Sequence, residues 1–241
     1  MTLSCTPIKV LEDIVLYHTG PALDSGPLPS FFYFSLSGKD SLTRDPYNQP
    51  VQFLFSQGIR IFSLSLPFHE EGELPENAVS VWAGWIAQGS DFLDDFFNKV
   101  KIATNYAVDH NFIDPSRLAV GGLSRGAFIA THVAARDERF SKILGFAPLT
   151  VLSALHPAAG RYDLIHQVPN LENKKVRFYI GNLDTRVNTR SCFEFIMALS
   201  EAKKPKPSDA ELFISKSLGK NGHGTSPEIF KQGSDWIAIN L

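Results

Sequence analysis

The chain has 241 residues, 44% of them apolar and 12% aromatic. A chain of this size and composition removes roughly 70% of its unfolded surface from water on folding, which excludes disorder as the main state. Its 23 basic and 25 acidic residues leave a net charge of -2, so no global field draws it onto nucleic acid or an anionic membrane, and a small-molecule partner is expected. Two cysteines, Cys5 and Cys192, belong to no CxxC or Cys/His cluster. They predict neither a disulfide framework nor a metal site and fit a reducing compartment. The first ten residues lack the basic start and apolar run of a secretion signal, and no apolar stretch approaches the ~18 residues of a membrane span. A cytoplasmic location is the expectation.

Along the chain, residues 30–37 (SFFYFSLS) and 59–66 (IRIFSLSL) are β-prone runs, and between them residues 50–57 form a helix-length segment stopped by Gly58. From residue 91, the apolar positions Phe92, Leu93, Phe96, Phe97, Val100, Ala103 and Ala107 recur at helical spacing, with Ser90 as the expected N-cap. A strand (117–121), an almost wholly apolar helix (125–135), strands at 142–147 and 175–180, a helix from about 189, a strand at 211–216 and a helix from 227 follow. The polar, proline-broken segment 202–209 reads as an exposed connection. No internal repeat is present. Strands alternating with helices and reading as continuous apolar runs predict a single α/β domain over 1–241, built on a mostly parallel central sheet with helices on both faces. In such sheets ligands sit beyond the carboxyl ends of the strands.

Gly122-Leu123-Ser124-Arg125-Gly126 matches G-x-S-x-G where a strand runs directly into a helix. In that context the glycines make room for a sharp turn that pushes Ser124 out at the sheet edge. A serine hydroxyl is a weak nucleophile without a base, so a histidine and an orienting acid are required further on. Asp184 lies in the turn after the 175–180 strand, and His223 lies in the glycine-flanked loop Asn221-Gly222-His223-Gly224 after the last one. The chain order is Ser, Asp, His. Asp163 is the rival acid. Gly219-Lys220-Asn221-Gly222 lacks phosphate-loop spacing, so no nucleotide or other cofactor is expected.

With these residues in view, the stretch Ile113-Asp114-Pro115-Ser116-Arg117-Leu118-Ala119-Val120-Gly121-Gly122-Leu123-Ser124-Arg125-Gly126 resembles the run into the nucleophile of α/β-hydrolase-fold serine hydrolases. It is most similar to the dienelactone hydrolase and prolyl oligopeptidase-like esterases. The resemblance extends from about residue 31 to the end of the sequence and implies Ser124 as nucleophile, His223 as general base and then acid, and Asp184 as the carboxylate that fixes the imidazole. It also implies an oxyanion hole of two backbone N–H groups, one on Arg125. Where related enzymes carry His-Gly after an early strand, this chain has Ser37-Gly38, which points to the Lys39 amide, or the Gly38 amide in another register, as the second donor.

Phe68 and His69, after a strand at the functional edge, and Leu152 are candidate pocket residues. Arg125 reads either as a carboxylate-recognising group or, preferably, as a brace for the turn. Residues 150–174 leave room only for a minimal cap, in which Leu152, Leu155, Leu164 and Ile165 would form a small apolar cover. The implied activity is that of a carboxylesterase-like serine hydrolase acting on short or medium acyl esters without metal or cofactor. Three alternatives stay open: a prolyl oligopeptidase-like peptidase, a thioesterase or acyltransferase, and a catalytically silent binding protein that keeps the fold. Oligomeric state is not legible.

Overall fold

A computed structural model describes residues 3–70, 73–203 and 209–241. Most of the 202–209 connection therefore lies outside the described residues. Eight strands form one sheet: β1 (Thr6–Leu11), β2 (Ile14–Thr19), β3 (Leu28–Phe34), β4 (Arg60–Ser63), β5 (Ile113–Leu123), β6 (Phe140–Phe146), β7 (Lys175–Gly181) and β8 (Ala210–Ser215). Their spatial order is β1-β2-β4-β3-β5-β6-β7-β8. β2 pairs antiparallel with both β1 and β4, and the pairs from β4 across to β8 are parallel. The sheet is open and mostly parallel, as the alternation of elements predicts.

Seven α-helices cover it among the described residues: α1 (Gly38–Thr43), α2 (Gln49–Leu54), α3 (Ala78–Ala87), α4 (Phe92–Asp109), α5 (Arg125–Arg136), α6 (Thr189–Ala202) and α7 (Pro227–Asn240). None of the described helices is long and apolar enough to cross a membrane. The central strands are apolar on both faces because both faces are covered. Phe32 and Phe34 of β3 join Val120, Ile143 and Phe178 in a core closed by α4, α5 and α6. Phe31 and Tyr33 point the other way, with Ala119, Leu144 and Phe146, onto Val51 and Leu54 of α2 and Phe230 and Trp236 of α7.

The hairpin β1–β2, helix α1 and helix α3 are additional to the elements read from sequence. At α4 the N-cap position belongs to Asp91, with Ser90 one residue outside and no side-chain cap bond; Asp94 and Asp95 meet the positive end of the helix. β3 stops at Phe34, three residues before the expected end of its run, because Ser37 caps a new helix by accepting a hydrogen bond from the Asp40 amide at 3.0 Å.

At the N-terminal ends of the parallel strands sits Arg60, fully buried. Its guanidinium donates to the carbonyls of Pro21 (3.2 Å), Ala22, Gly26 (3.0 Å) and Phe112. Gly26 and Phe112 lie just ahead of β3 and β5, so one side chain ties together the starts of the strands that carry the functional edge.

Candidate active site

The C-terminal ends of β3, β5 and β7 share one edge of the sheet. Phe34 pairs with Gly122 in parallel register, which sets the end of β3 beside the β5–α5 turn. Ser124 occupies that turn at φ 57°, ψ -115°, a strained conformation for a residue with a side chain. Two glycines make the turn feasible: a Cβ on Gly126 would sit 1.8 Å from the Phe34 carbonyl oxygen, and one on Gly122 would meet the Gly126 carbonyl group. The Ser124 amide is held by the Phe146 carbonyl at 2.8 Å, which fastens the turn to β6.

His223 reaches this point from the loop after β8. Its Nε2 lies 3.0 Å from Ser124 Oγ, and its Nδ1 lies 2.7 Å from Asp184 Oδ2. A carboxylate on Nδ1 holds that nitrogen as the N–H donor and leaves the Nε2 lone pair facing the serine hydroxyl. Asp184 is buried, and its second oxygen accepts from the amides of Arg186 (2.9 Å) and Val187 (3.1 Å). Burial pushes this carboxyl up, yet the His223 hydrogen bond and the two amides outweigh burial and lower it below the ordinary aspartate value. It therefore stays ionised.

The acid and histidine loops are latched to one another. The Thr185 amide donates to the Asn221 carbonyl (2.9 Å), the Leu183 amide to Ser217 Oγ (2.6 Å), and the Ser217 amide to Asn182 Oδ1 (3.0 Å). Gly222, at φ 71°, passes so close to the Leu183 carbonyl that a Cβ would lie 2.3 Å from its oxygen. Asp163, the rival acid, is engaged elsewhere: its carboxylate accepts from the Ser153 amide (2.8 Å) and hydroxyl (2.5 Å).

Ser124, Arg125 and His223 open onto a cleft of about 450 Å³ whose walls include Ser35, Leu36, Tyr47, Pro75, Glu76, Arg186, Lys220, Thr225 and Phe230. Arg125 is the first residue of α5, so its amide has no acceptor within the helix and is available at the turn. Its guanidinium is a brace: Nη2 donates to the Pro75 carbonyl (3.0 Å) and to His69 Nε2 (3.1 Å), over the Trp82 ring. His69 Nδ1 in turn donates to the Pro67 carbonyl at 2.9 Å. Burial, then the Arg125 charge, depress His69 to about 4, so it is a neutral acceptor for the guanidinium. Arg125 Nη1 is buried without a hydrogen-bond partner.

Four residues, Lys39 expected at the oxyanion hole and Phe68, His69 and Leu152 expected at the pocket, are not among the walls of the cleft. Lys39 is exposed in the first turn of α1, the helix capped by Ser37, and it does not line the cleft. His69 is buried behind Arg125, and Phe68 lines a separate groove of about 440 Å³ with Trp85 and Phe92. Leu152 is fully buried in the main core. Leu164 is buried beside it, and the 3-10 turns Pro157–Tyr162 and Leu164–Leu171 pack on α5, where His132 Nε2 donates to the Tyr162 carbonyl at 2.8 Å. Residues 150–174 contribute no wall to the Ser124 cleft: of the expected apolar cover, Leu152 and Leu164 belong to the core, Leu155 packs against it and Ile165 is exposed. Sequence reading did not anticipate the walls that Tyr47, Pro75, Arg186 and Lys220 supply. The Ser37-x-x-Asp40 capping pattern was the available signal that this segment turns helical before Lys39.

No protein-family model matches the chain, and no curated protein sequence does either. Its fold is nonetheless that of known structures. A cold-adapted esterase from an Arctic intertidal metagenomic library superposes with a TM-score of 0.72 at 17% identity, over 98% of this chain and 93% of the esterase. The S-formylglutathione hydrolase FrmB of Staphylococcus aureus gives 0.66 at 12%, over 99% and 98%. A prolyl endopeptidase gives 0.71 at 16%, and there the match covers 99% of this chain but only 38% of the larger protein. The chain has the α/β-hydrolase fold.

Proposed function

We propose that the protein is a serine hydrolase of the carboxylesterase kind, cleaving short or medium acyl esters through Ser124, His223 and Asp184. The observation that carries this reading is the unbroken chain from Ser124 Oγ to His223 Nε2 at 3.0 Å and from His223 Nδ1 to Asp184 at 2.7 Å, opening onto a cleft. An open cleft of about 450 Å³ without a cover from residues 150–174 supports a compact acyl group over a long chain.

In the mechanism that follows, His223 Nε2 takes the Ser124 proton as Oγ attacks the ester carbonyl carbon. The Asp184 carboxylate stabilises the imidazolium so formed without itself taking the proton. The Arg125 amide faces the developing oxyanion, an interaction worth about 3 kcal/mol per donor in such sites. The imidazolium then gives its proton to the departing alkoxide, leaving an acyl group on Ser124. Water enters, loses a proton to His223 Nε2, and releases the acid by the same steps in reverse. Peptide hydrolysis is the second reading, supported by the fold shared with the prolyl endopeptidase.

Intact-mass spectrometry after treatment with a fluorophosphonate tests the core of the proposal. One covalent adduct on the native chain and none on Ser124→Ala is the expected result. Absence of an adduct where a control serine hydrolase labels fully refutes it. A p-nitrophenyl ester series with better turnover at sixteen carbons than at two to four contradicts the acyl-length assignment, and faster cleavage of peptide amides than of esters would favour the second reading.

A further inference from the structure

Nearly all the arginines of this protein are neutralised, and the exceptions share one place. Apart from Arg60, which is engaged by carbonyls, and two others, every arginine has a carboxylate oxygen within 3.7 Å. The two others are Arg125 and Arg186, and both line the cleft at Ser124, as does Lys220. None of the three forms an ion pair among the described residues. Arg125 spends Nη2 on the Pro75 carbonyl and the neutral His69 ring and leaves Nη1 without a partner, while Arg186 and Lys220 are exposed. Burial first, and then the like charge of Arg186, push the Arg125 guanidinium down to about 10, so these two cations stand close enough to repel. Glu76 is the one carboxylate among the residues that line the cleft, and among the described residues it pairs with none of the three. A protein whose net charge is -2 thus sets three cations against one carboxylate around its nucleophile.

The loops that carry the exposed pair also carry His223 and Asp184. The Arg186 amide donates to Asp184 at 2.9 Å, and Lys220 opens the turn Lys220–Gly222 that leads into His223. The bond from the Thr185 amide to the Asn221 carbonyl, at 2.9 Å, joins the two loops, so both cations ride on the frame that holds the imidazole. An exposed cation gains little from a single pairing in water, but several on one concave wall raise the potential there and select the sign of what enters. We infer that the cleft takes esters that bear a carboxylate in addition to the bond that is cleaved, and that Arg186 and Lys220 bind this carboxylate while Arg125 adds its charge from the head of α5. A guanidinium presents paired N–H groups to the two carboxylate oxygens, and an ammonium adds a point charge. The inference rests on the serine-hydrolase reading above and names the substrate class of that same site.

Matched pairs of esters test it. One pair puts the charge on the acyl half, the mono-p-nitrophenyl ester of adipic acid against p-nitrophenyl hexanoate; the other puts it on the alcohol half, 4-acetoxybenzoate against 4-acetoxybenzamide. The quantity read is the ratio of kcat/KM for the anionic ester to that for its neutral partner, each corrected for the uncatalysed rate. The native protein is expected to favour the anionic member of at least one pair by about tenfold or more, the scale of one charge-assisted hydrogen bond, and the pair that responds shows which half carries the charge. Arg186→Gln combined with Lys220→Gln should bring that ratio to within about twofold of unity, and Arg186→Glu combined with Lys220→Glu should invert it. Arg186→Lys, which keeps the charge, should retain most of the preference. Because the cations are exposed, raising the ionic strength should also lower the native ratio. A merely structural role for either side chain would move the melting temperature, or both esters of a pair alike, and leave the ratio unchanged.

Equal treatment of both members of both pairs by a native protein that labels at Ser124, or a preference that survives the double glutamine variant, overturns the carboxylate assignment and leaves the serine hydrolase standing. A native protein that neither labels with the fluorophosphonate nor turns over any of these esters removes the hydrolase reading and the carboxylate site with it.

Discussion

Two arginines, Arg60 fully buried and Arg125 partly so, mark opposite ends of the same strands, and they are used differently. At the N-terminal edge every arm of Arg60 is engaged by carbonyls of Pro21, Ala22, Gly26 and Phe112. At the C-terminal edge Arg125 holds His69 and Pro75 with one nitrogen, keeps Nη1 unpartnered, and offers its amide to the cleft. A fully satisfied polar group fixes a structure, whereas an unsatisfied one waits for a ligand or a developing charge. Stability is concentrated at one end of the sheet and reactivity at the other.

That contrast is sharpest at Ser124, His223 and Asp184, where the proposed function expects the largest effects. Ser124→Ala should lower ester kcat by 10⁴-fold or more, about the scale on which a serine hydrolase fails without its nucleophile, with little change in melting temperature. Next comes Asp184→Asn, which should cost on the order of 10⁴-fold in kcat by releasing the imidazole tautomer; steady-state kinetics checks both, and a loss below tenfold in either breaks the assignment.

Arg60→Met acts at the opposite edge and should reverse the pattern. Leaving buried carbonyls unpaired costs about 1–3 kcal/mol each, so a drop of roughly 10 °C in melting temperature is expected, with kcat of the folded fraction close to native. A variant that melts normally would show that the N-terminal edge is held by other means.

Acid should also act through structure before chemistry. His18 and His69 are pushed down to about 4, and His132 to about 3, by burial first and then by Arg60, Arg125 and Arg136 respectively. The unfolded chain titrates these groups near 6.5 and binds protons that the folded chain refuses. Stability is thus complete above pH ~6.5 and is lost progressively as pH falls from there towards 4, which thermal melts across that range would show. A constant melting temperature from pH 7 to 5 contradicts it.

The smallest effect belongs to Arg125→Ala. Its side chain braces the wall formed by Pro75 and His69 while its amide remains, so KM should rise more than kcat falls, with a stability loss of about 1–2 kcal/mol. An equal or larger loss in kcat would give the guanidinium a part in the chemistry.

The alternation of strands and helices was legible because covered parallel strands carry continuous apolar runs, as residues 31–34 and 178–180 do. Ser124, Asp184 and His223, which the structure brings within hydrogen-bond distance of one another, could be picked out because strand-end turns demand glycine and polar residues where the core demands neither. What escaped had a local cause. Residues 6–19 mix Lys9, Glu12, Asp13 and His18 with their apolar positions and so hide the β1–β2 hairpin. Leu152 looks the same as a cover residue and as a core residue, since apolarity says that a side chain is buried but not against what. Lys39 was placed by its offset from Gly38, and the capping bond from the Asp40 amide to Ser37 puts it in a helix instead of a loop.

The contact of Gly126 with the Phe34 carbonyl couples the Ser124 turn to the end of β3 by main chain alone, so the two travel as one rigid body. The residues that would meet a substrate's variable groups, Tyr47, Pro75, Arg186 and Lys220, stand on separate connections around that body. Their exchange leaves the packing of the Ser124 turn against the end of β3 untouched. A scaffold so arranged can accept new clientele by rewriting its loops.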